Sequence, residues 1–352
     1  MKGIGIIGCG KIAQVRHIPE YAANPNARIV GFFDMNRQRA AELARQYDAR
    51  SYDTLEQLLA DPEIDAVSAC VANHAHAQVS IDAMRAGKDV LCEKPMATTI
   101  EECEEMVRVA DECGRKLMIG QNQRLAKAHV VARRLLEQGW IGRVLTFRTC
   151  FGHSGPETWS VDPGKNLWFF QKDKAAMGVM ADLGIHKTDL IQHLLGQNVV
   201  SVRSLITTLD KTDHEGNPIS VDDNAICIYT MENGVAGTMT ASWTYYGQED
   251  NSTILYGTKG IMRIYDTGHS IEIHSSDGEH TMMDVEQIQT NDNQTKSGII
   301  DMFIDSLESG CETPISGRDV LAAMRAVFAA IKSSEQSRAI DIPENRRGRP
   351  SL

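Results

Sequence analysis

The stretch Gly3-Ile4-Gly5-Ile6-Ile7-Gly8-Cys9-Gly10-Lys11-Ile12-Ala13 decides the fold. An apolar, strand-like run passes into a glycine turn and then into a helical pattern, the context in which Gly-x-Gly-x-x-Ala signals a dinucleotide site. Gly8 permits the tight turn, Gly10 lets the backbone approach a pyrophosphate, and Ala13 lets the helix pack closely on the strand. Lys11 and Ile12 open the helix, whose unpaired N–H groups face the phosphates, and they join the cofactor-binding set. Asp34 ends the second strand, 24 residues beyond Gly10, where a carboxylate accepts from adenosine ribose hydroxyls and repels a 2′-phosphate. NAD is therefore favoured. NADP stays open as well, because Arg37 is placed to stack on adenine or reach a phosphate.

Outward from this loop, residues 1 to about 120 alternate short Val/Ile/Ala-rich runs with helical spacing, as βαβ units around a parallel sheet do. Strands are predicted near 3–7, 28–33, 65–71, 88–92 and 116–120, and helices near 11–23, 36–47, 54–60, 75–86 and 99–113. Asp53 or Thr54, Asn73, and Thr99 with its following acids mark helix starts. Gly87 and Gly114 mark stops. Beyond 125 come a helix at 126–138, a strand at 143–150, a long polar loop to 174 and a helix at 178–195. Alternating segments at 199–209, 223–231, 235–243, 251–257 and 260–265 then predict antiparallel strands. Helices at 297–309 and 317–333 close the chain before a loose tail. Residues 280–295 carry no periodic signal. The expectation is an α/β protein: a Rossmann dinucleotide-binding domain over 1–122, and over 123–352 an α/β domain with a large open, mainly antiparallel sheet. The terminal helix is expected to pack back on the first domain.

The 352 residues exceed one ordinary core. A formal net charge of −11 argues against nucleic-acid and anionic-membrane partners, which need a basic face. The short basic tail at Arg346-Arg347-Gly348-Arg349 does not change that. Eight cysteines are scattered without a Cys-x-x-Cys pair, so they read as reduced and mostly buried. No apolar run approaches the ~20 residues of a membrane span. The amino terminus lacks a signal peptide's succession of regions, so a cytoplasmic location is expected.

The second informative stretch is Ala86-Gly87-Lys88-Asp89-Val90-Leu91-Cys92-Glu93-Lys94-Pro95. It puts the Lys94 cation at the carboxyl end of a buried strand, where an open α/β sheet binds ligands. With Val71-Ala72-Asn73-His74-Ala75-His76, Gly120-Gln121-Asn122-Gln123-Arg124, Ile141-Gly142, Asp182-Leu183-Gly184-Ile185-His186-Lys187-Thr188-Asp189 and Gly257-Thr258-Lys259-Gly260, the chain resembles the Gfo/Idh/MocA oxidoreductases. This is the family of glucose-fructose oxidoreductase and inositol dehydrogenase, and the resemblance covers nearly the whole chain. It implies that Lys94, Asp182 and His186 form the catalytic group and that Lys94 helps hold the cofactor, with Glu93 and Asn73 expected beside it; His76 either joins them at the cofactor face or caps or packs its own helix. It also implies a cis bond before Pro95 and association into a homodimer or homotetramer through the open sheet face. Two departures stand out. Val71-Ala72 replaces the family's Thr-Pro, which predicts a different turn near the nicotinamide. Ala175-Ala176-Met177-Gly178 replaces a triple glycine, which predicts a narrower substrate approach.

Physically, Asp182 and His186 lie four apart on a predicted helix and share a face. A histidine suits proton transfer from a secondary alcohol near neutral pH, with the carboxylate orienting it or the substrate. Lys94 would stabilise the developing alkoxide. The loop 151–174 offers aromatic faces and hydrogen bonds of the kind that hold sugars. Arg124, Trp159, Lys165 and Trp168 are the substrate-side candidates, with Trp243 and Tyr245 behind them. His17 and His74 read as surface or helix-face residues. Asp182, His186, Asp189 and His193 recur on one helix face but span too far for one ion, and no metal is assigned. The expected activity is reversible oxidation of a secondary hydroxyl on a sugar, glycoside or cyclitol, with hydride passing to NAD. One rival is an NAD-dependent glycosidase that oxidises transiently and eliminates. Another is a non-catalytic dinucleotide sensor, which has no use for the lysine and histidine together.

Overall fold

A computed structural model describes residues 1–161, 163–165, 167–285 and 296–343. Its first six strands are β1 Lys2–Ile7, β2 Ala27–Phe33, β3 Arg50–Ser51, β4 Ala66–Ala69, β5 Asp89–Cys92 and β6 Leu117–Ile119. All neighbours run parallel, in the order β3-β2-β1-β4-β5-β6. That order reverses between β1 and β4, so the crevice outside their carboxyl ends is the ligand position of a doubly wound sheet. β1, β4 and β5 are buried almost throughout, as strands covered on both faces must be.

The helices are α1 Ile18–Ala23, α2 Arg37–Gln46, α3 Leu55–Ala60, α4 His76–Arg85, α5 Ile100–Cys113, α6 Lys127–Glu137, α7 Lys172–Ala175, α8 Ile185–Leu195, α9 Ile299–Ser309 and α10 Gly317–Gln336. Their ends follow the chemistry of the sequence. Thr99 and Thr54 each form a reciprocal capping box with a residue three further on, Glu102 and Gln57. Such caps are worth about 1 kcal/mol each. Gly114, at φ +60°, stops α5 in the left-handed conformation. Asn73, expected to mark the start of α4, sends its side chain instead to the Ala175 carbonyl, 3.0 Å away.

Two helices depart from the periodic reading. The predicted 11–23 helix is a π-helical turn, Ala13–His17, running into α1, and the predicted 178–195 helix begins with another, Met180–Gly184, before α8. Each inserts wider winding without changing the apolar pattern, so sequence spacing does not reveal it. π turns frequently mark functional sites.

The second sheet comprises β7 Val144–Gly152, β8 Val199–Thr207, β9 Asn224–Met231, β10 Ala236–Ser242, β11 Thr253–Gly257, β12 Gly260–Ile264, β13 Ile271–Ser275, β14 His280–Met283 and β15 Ile340–Asp341. Its order is β14-β13-β12-β11-β7-β10-β9-β8-β15, antiparallel except for the β7–β10 pair. α10 packs on α5 and β6 of the first sheet and on β8 and α8 of the second, and α9 meets α1. Residues 280–283, without a periodic signal, form β14 through pairing with β13. β3, β13 and β15, also absent from the sequence reading, are short strands that pairing rather than pattern creates. Residues 286–295 and most of the expected tail lie outside the described residues.

The two departures from the family pattern resolve differently. Ala72 sits at φ −70° and ψ 152°, the φ a proline ring would impose, so the turn survives the loss of proline. Met177 lines the cavity described below. Gly178 has no substitute, since a Cβ there would meet the Asp222 carbonyl oxygen at 1.9 Å.

Candidate active site

At the carboxyl ends of β4 and β5 the Lys94–Pro95 bond is cis. Lys94 Nζ reaches across to the second π turn, donating to Asp182 Oδ1 at 2.7 Å and to its backbone carbonyl at 2.9 Å. An ammonium has three donors, so one remains after these two bonds. Asp182 Oδ2 accepts from Trp243 Nε1 at 3.0 Å. Burial works to raise the Asp182 pKa, but Lys94, His153 and these bonds outweigh it and hold the carboxylate below its ordinary value.

One turn on, His186 Nδ1 lies 3.1 Å from Gln121 Oε1. With the amide in this orientation, Nδ1–H donates and Nε2 keeps the lone pair. Burial, and then the Lys94 charge, hold this imidazole well below its ordinary pKa, so it is neutral at pH 7. His153, at the end of β7, has the opposite tautomer: its Nδ1 accepts from Gly155 N–H at 3.0 Å, which puts the proton on Nε2. Burial lowers its pKa too. The Phe151 ring neighbours both imidazoles, with centroids 5.8 Å from His153 and 6.2 Å from His186. All of these side chains except Trp243 and Gln121 line one cavity.

Glu93, which also lines the cavity, has its Oε1 accepting from His17 at 2.9 Å and Arg16 at 3.2 Å and its Oε2 from the Lys94 amide at 3.1 Å. His17 continues to Ser68 Oγ at 3.0 Å, and Tyr21 bonds the same hydroxyl at 2.9 Å. Burial works to raise the Glu93 pKa, but the His17 bond and the Arg16 charge hold it far below. Gly120 makes room for this carboxylate, since a Cβ would stand 3.0 Å from it. His17 is thus fully buried, which corrects its reading as a surface residue. His76 is also buried, its two nitrogens 2.7 Å from the Pro95 carbonyl and 3.0 Å from that of Val71. It braces the cis bond against the β4 turn.

The glycine turn fits a pyrophosphate. At Gly8, φ is +88° and a Cβ would meet the Cys70 carbonyl oxygen at 2.5 Å, whereas nothing lies within 4 Å of a Cβ at Gly10, leaving open space over the turn. Ile12, Arg16, Asn73, His76, Glu93 and Lys94 line the near half of the cavity. Asp34 accepts from the Cys9 amide at 2.6 Å and the Asn36 amide at 2.7 Å. It shares a separate groove with Arg37 and Asp53, where Arg37 meets Asp53 at 3.4 Å. Lys11 opens the helix at the rim and does not line the cavity.

The substrate-side candidates divide. Trp159 and Trp168 line the cavity, and Trp168 stacks on Phe169 at 3.9 Å. Arg124 does not. Its guanidinium grips the Asp189 carboxylate in a bidentate pair, Nε to Oδ2 at 2.6 Å, with both groups largely buried. Lys165 also lies outside, its Nζ donating to Thr212 at 2.6 Å. Trp243 is fully buried behind Asp182, and Tyr245 packs on Gly152 away from the cavity. Both carboxylates of the weighed metal pairs, Asp182 and Asp189, are engaged by cations. Residues 162 and 166 of the long loop are outside the described residues. Sequence reasoning passed over Gln121, Phe151 and His153 as site residues, although each stands at or just beyond the end of a strand. Arg16 and His17 carried a similar signal, one turn past the glycine loop.

Comparison with known proteins gives the context. The family model described as "Oxidoreductase family, NAD-binding Rossmann fold" matches residues 2–121, and "GFO/IDH/MocA C-terminal domain" matches 129–263. Inositol 2-dehydrogenase of Rhizobium meliloti (strain 1021) is 29% identical over 96% of this chain and 98% of its own. Levoglucosan dehydrogenase of Pseudarthrobacter phenanthrenivorans is 29% identical over 73% of this chain and 72% of its own. A solved levoglucosan dehydrogenase in complex with NADH superposes with a TM-score of 0.85 at 25% identity, covering 97% of this chain and 99% of that one. Among the described residues, no helix is long and apolar enough to cross a membrane. Matched over residues 2–121 and 129–263, the chain belongs to the Gfo/Idh/MocA family of NAD-dependent oxidoreductases.

Proposed function

We propose that this enzyme reversibly oxidises a secondary hydroxyl of a sugar, glycoside or cyclitol, with Lys94, Asp182 and His186 as the catalytic group. The observation that carries this reading is the convergence of a partly bonded ammonium and a neutral imidazole with a free Nε2 on one cavity. The glycine turn, Asp34 and the near half of the cavity would hold NAD. Bound there, its nicotinamide ring supplies the hydride acceptor. The substrate O–H then gives its proton to His186 Nε2, while the third donor of Lys94 stabilises the alkoxide character that develops on that oxygen. Asp182 holds the ammonium in place, and Trp243 holds Asp182. The Nε2–H of His153 is a donor for a neighbouring substrate oxygen. Trp159 and Trp168 offer apolar faces to the sugar ring. The names of the inositol and levoglucosan dehydrogenases support the substrate class.

The chain is also proposed to self-associate through the open face of its second sheet. Leu205, Ile226 and Ile228 stand there 58%, 46% and 51% exposed, with Leu205 opposite Ile226 across the β8–β9 pair. Such an exposed apolar patch marks an interaction surface.

The test is a panel of cyclitols, free sugars and anhydrosugars incubated with NAD and, separately, NADP, with NADH or NADPH accumulation read directly. Stoichiometric NADH with at least one polyol, at a higher kcat/KM than with NADP, is expected. Cleavage of a glycoside without net NADH would replace this reading by the transient-oxidation glycosidase. Sedimentation of the same sample should give a dimer or larger species.

A further inference from the structure

At the far edge of the second sheet, three metal-ligating side chains share a small patch that the proposed reaction does not use. Glu272 and His274 are two apart on β13 and project from the same face, because side chains alternate along a strand. Their neighbours Ile271 and Ile273 take the buried face. His280, on β14, is the direct cross-strand partner of His274. The two imidazoles stack, with centroids 4.1 Å apart and planes 17° from parallel. Both aim Nε2 at one oxygen, with His274 2.9 Å and His280 2.6 Å from Glu272 Oε1. The candidate ligand atoms of all three residues lie within 4.8 Å of one another.

We propose that Glu272, His274 and His280 form a divalent-metal site of the zinc class that clips the edge strand β14 to β13. Two imidazole nitrogens and one carboxylate oxygen are a donor set suited to zinc, with bonds of about 2.0–2.2 Å. Tetrahedral donors around such an ion stand about 3.3 Å apart, so the two imidazole–carboxylate separations must open by about 0.4 and 0.7 Å, and the stacked rings must tilt apart for both Nε2 lone pairs to meet at one ion. On binding, each neutral ring carries its proton on Nδ1 and gives the Nε2 lone pair to the ion, while Glu272 exchanges two hydrogen bonds for one coordinate bond. Three protein ligands leave a fourth position for water. None of the three residues lines the catalytic cavity, so the ion is structural. Such a clip would act on a strand that, among the described residues, pairs only with β13. Such a strand, four residues long and bonded along one edge, is where a sheet frays first.

The experiment is zinc titration by calorimetry on the full chain, stripped with chelator and dialysed at about pH 7.5, where ordinary imidazoles are neutral. One ion per chain with a micromolar dissociation constant is expected. Affinity should fall at least about tenfold in His274→Ala and in His280→Ala, and measurably in Glu272→Gln. Zinc should also slow hydrogen exchange of the β14 amides in the wild type but not in the histidine variants. All three side chains lie at an outer face, and far-ultraviolet circular dichroism checks that each variant is folded. No saturable binding below about 1 mM would overturn the proposal. So would undiminished binding in the His274→Ala/His280→Ala double variant, which would put the ion elsewhere.

Discussion

Arg124 and Trp168 illustrate how a residue's surroundings decide its work. Arg124 is spent on Asp189 in a largely buried bidentate pair, whereas Trp168 presents its ring to the cavity beside Phe169. Removing one partner of a buried pair leaves an uncompensated charge and costs about 3–5 kcal/mol. Arg124→Ala should therefore lower the thermal midpoint by several degrees with little change in KM for substrate or NAD among the molecules that stay folded. Trp168→Ala should do the reverse, raising substrate KM while NAD affinity and midpoint hold. Steady-state kinetics beside thermal unfolding separates the two, and a Trp168→Ala protein with weakened NAD binding and a lowered midpoint would make that ring a packing residue instead. The sequence reading put both residues on the substrate side, because an arginine near a site and an arginine bridging two elements look alike until Asp189 is placed opposite.

At the scale of elements, helix α8 carries a buried titratable group, Lys187, beside the proposed base His186. Lys187 is fully buried, donates to the Asn251 carbonyl at 2.9 Å, and is depressed by burial from an ordinary 10.5 to about 7. A folded pKa below the unfolded one means that this lysine favours folding above about pH 10.5, and that the advantage is lost as pH falls toward 7. Lys187→Met should therefore gain most over the wild type near pH 7, and the gap between the two midpoints should narrow steadily as pH rises toward about 10.5. Midpoints measured across that range test it, and a gap that does not change with pH would show that the lysine is not neutralised. The elements themselves were legible wherever pattern and caps agree: the glycine turn, the capping boxes at Thr54 and Thr99, and the alternation of β9 and β10. The π turns at Ala13–His17 and Met180–Gly184 were not, because a wider turn preserves the apolar stripe. β13, β14 and β15 were not either, since a short strand is defined by the neighbour it pairs with.

For the whole molecule, two sheets meet so that Lys94, from the end of the parallel sheet, reaches Asp182 on the turn that precedes α8, 88 positions away in sequence. Lys94, Asp182 and His186 could be named from local motifs, but their arrangement could not. The structure pairs the lysine with the aspartate, and gives the histidine to Gln121 at the end of the parallel sheet. The buried relay from Glu93 through His17 to Ser68 and Tyr21 was equally hidden, being assembled from three separate stretches of chain. What the chain does at this junction is tested most directly by His186→Asn and Lys94→Met, alone and combined, with a confirmed substrate at saturating NAD. Each single variant should bind NAD as the wild type does and lose about 10²- to 10⁴-fold in kcat, and the double variant should lose less than the product of the two, since both groups serve one transition state. Near-wild-type kcat in either single variant would contradict the account.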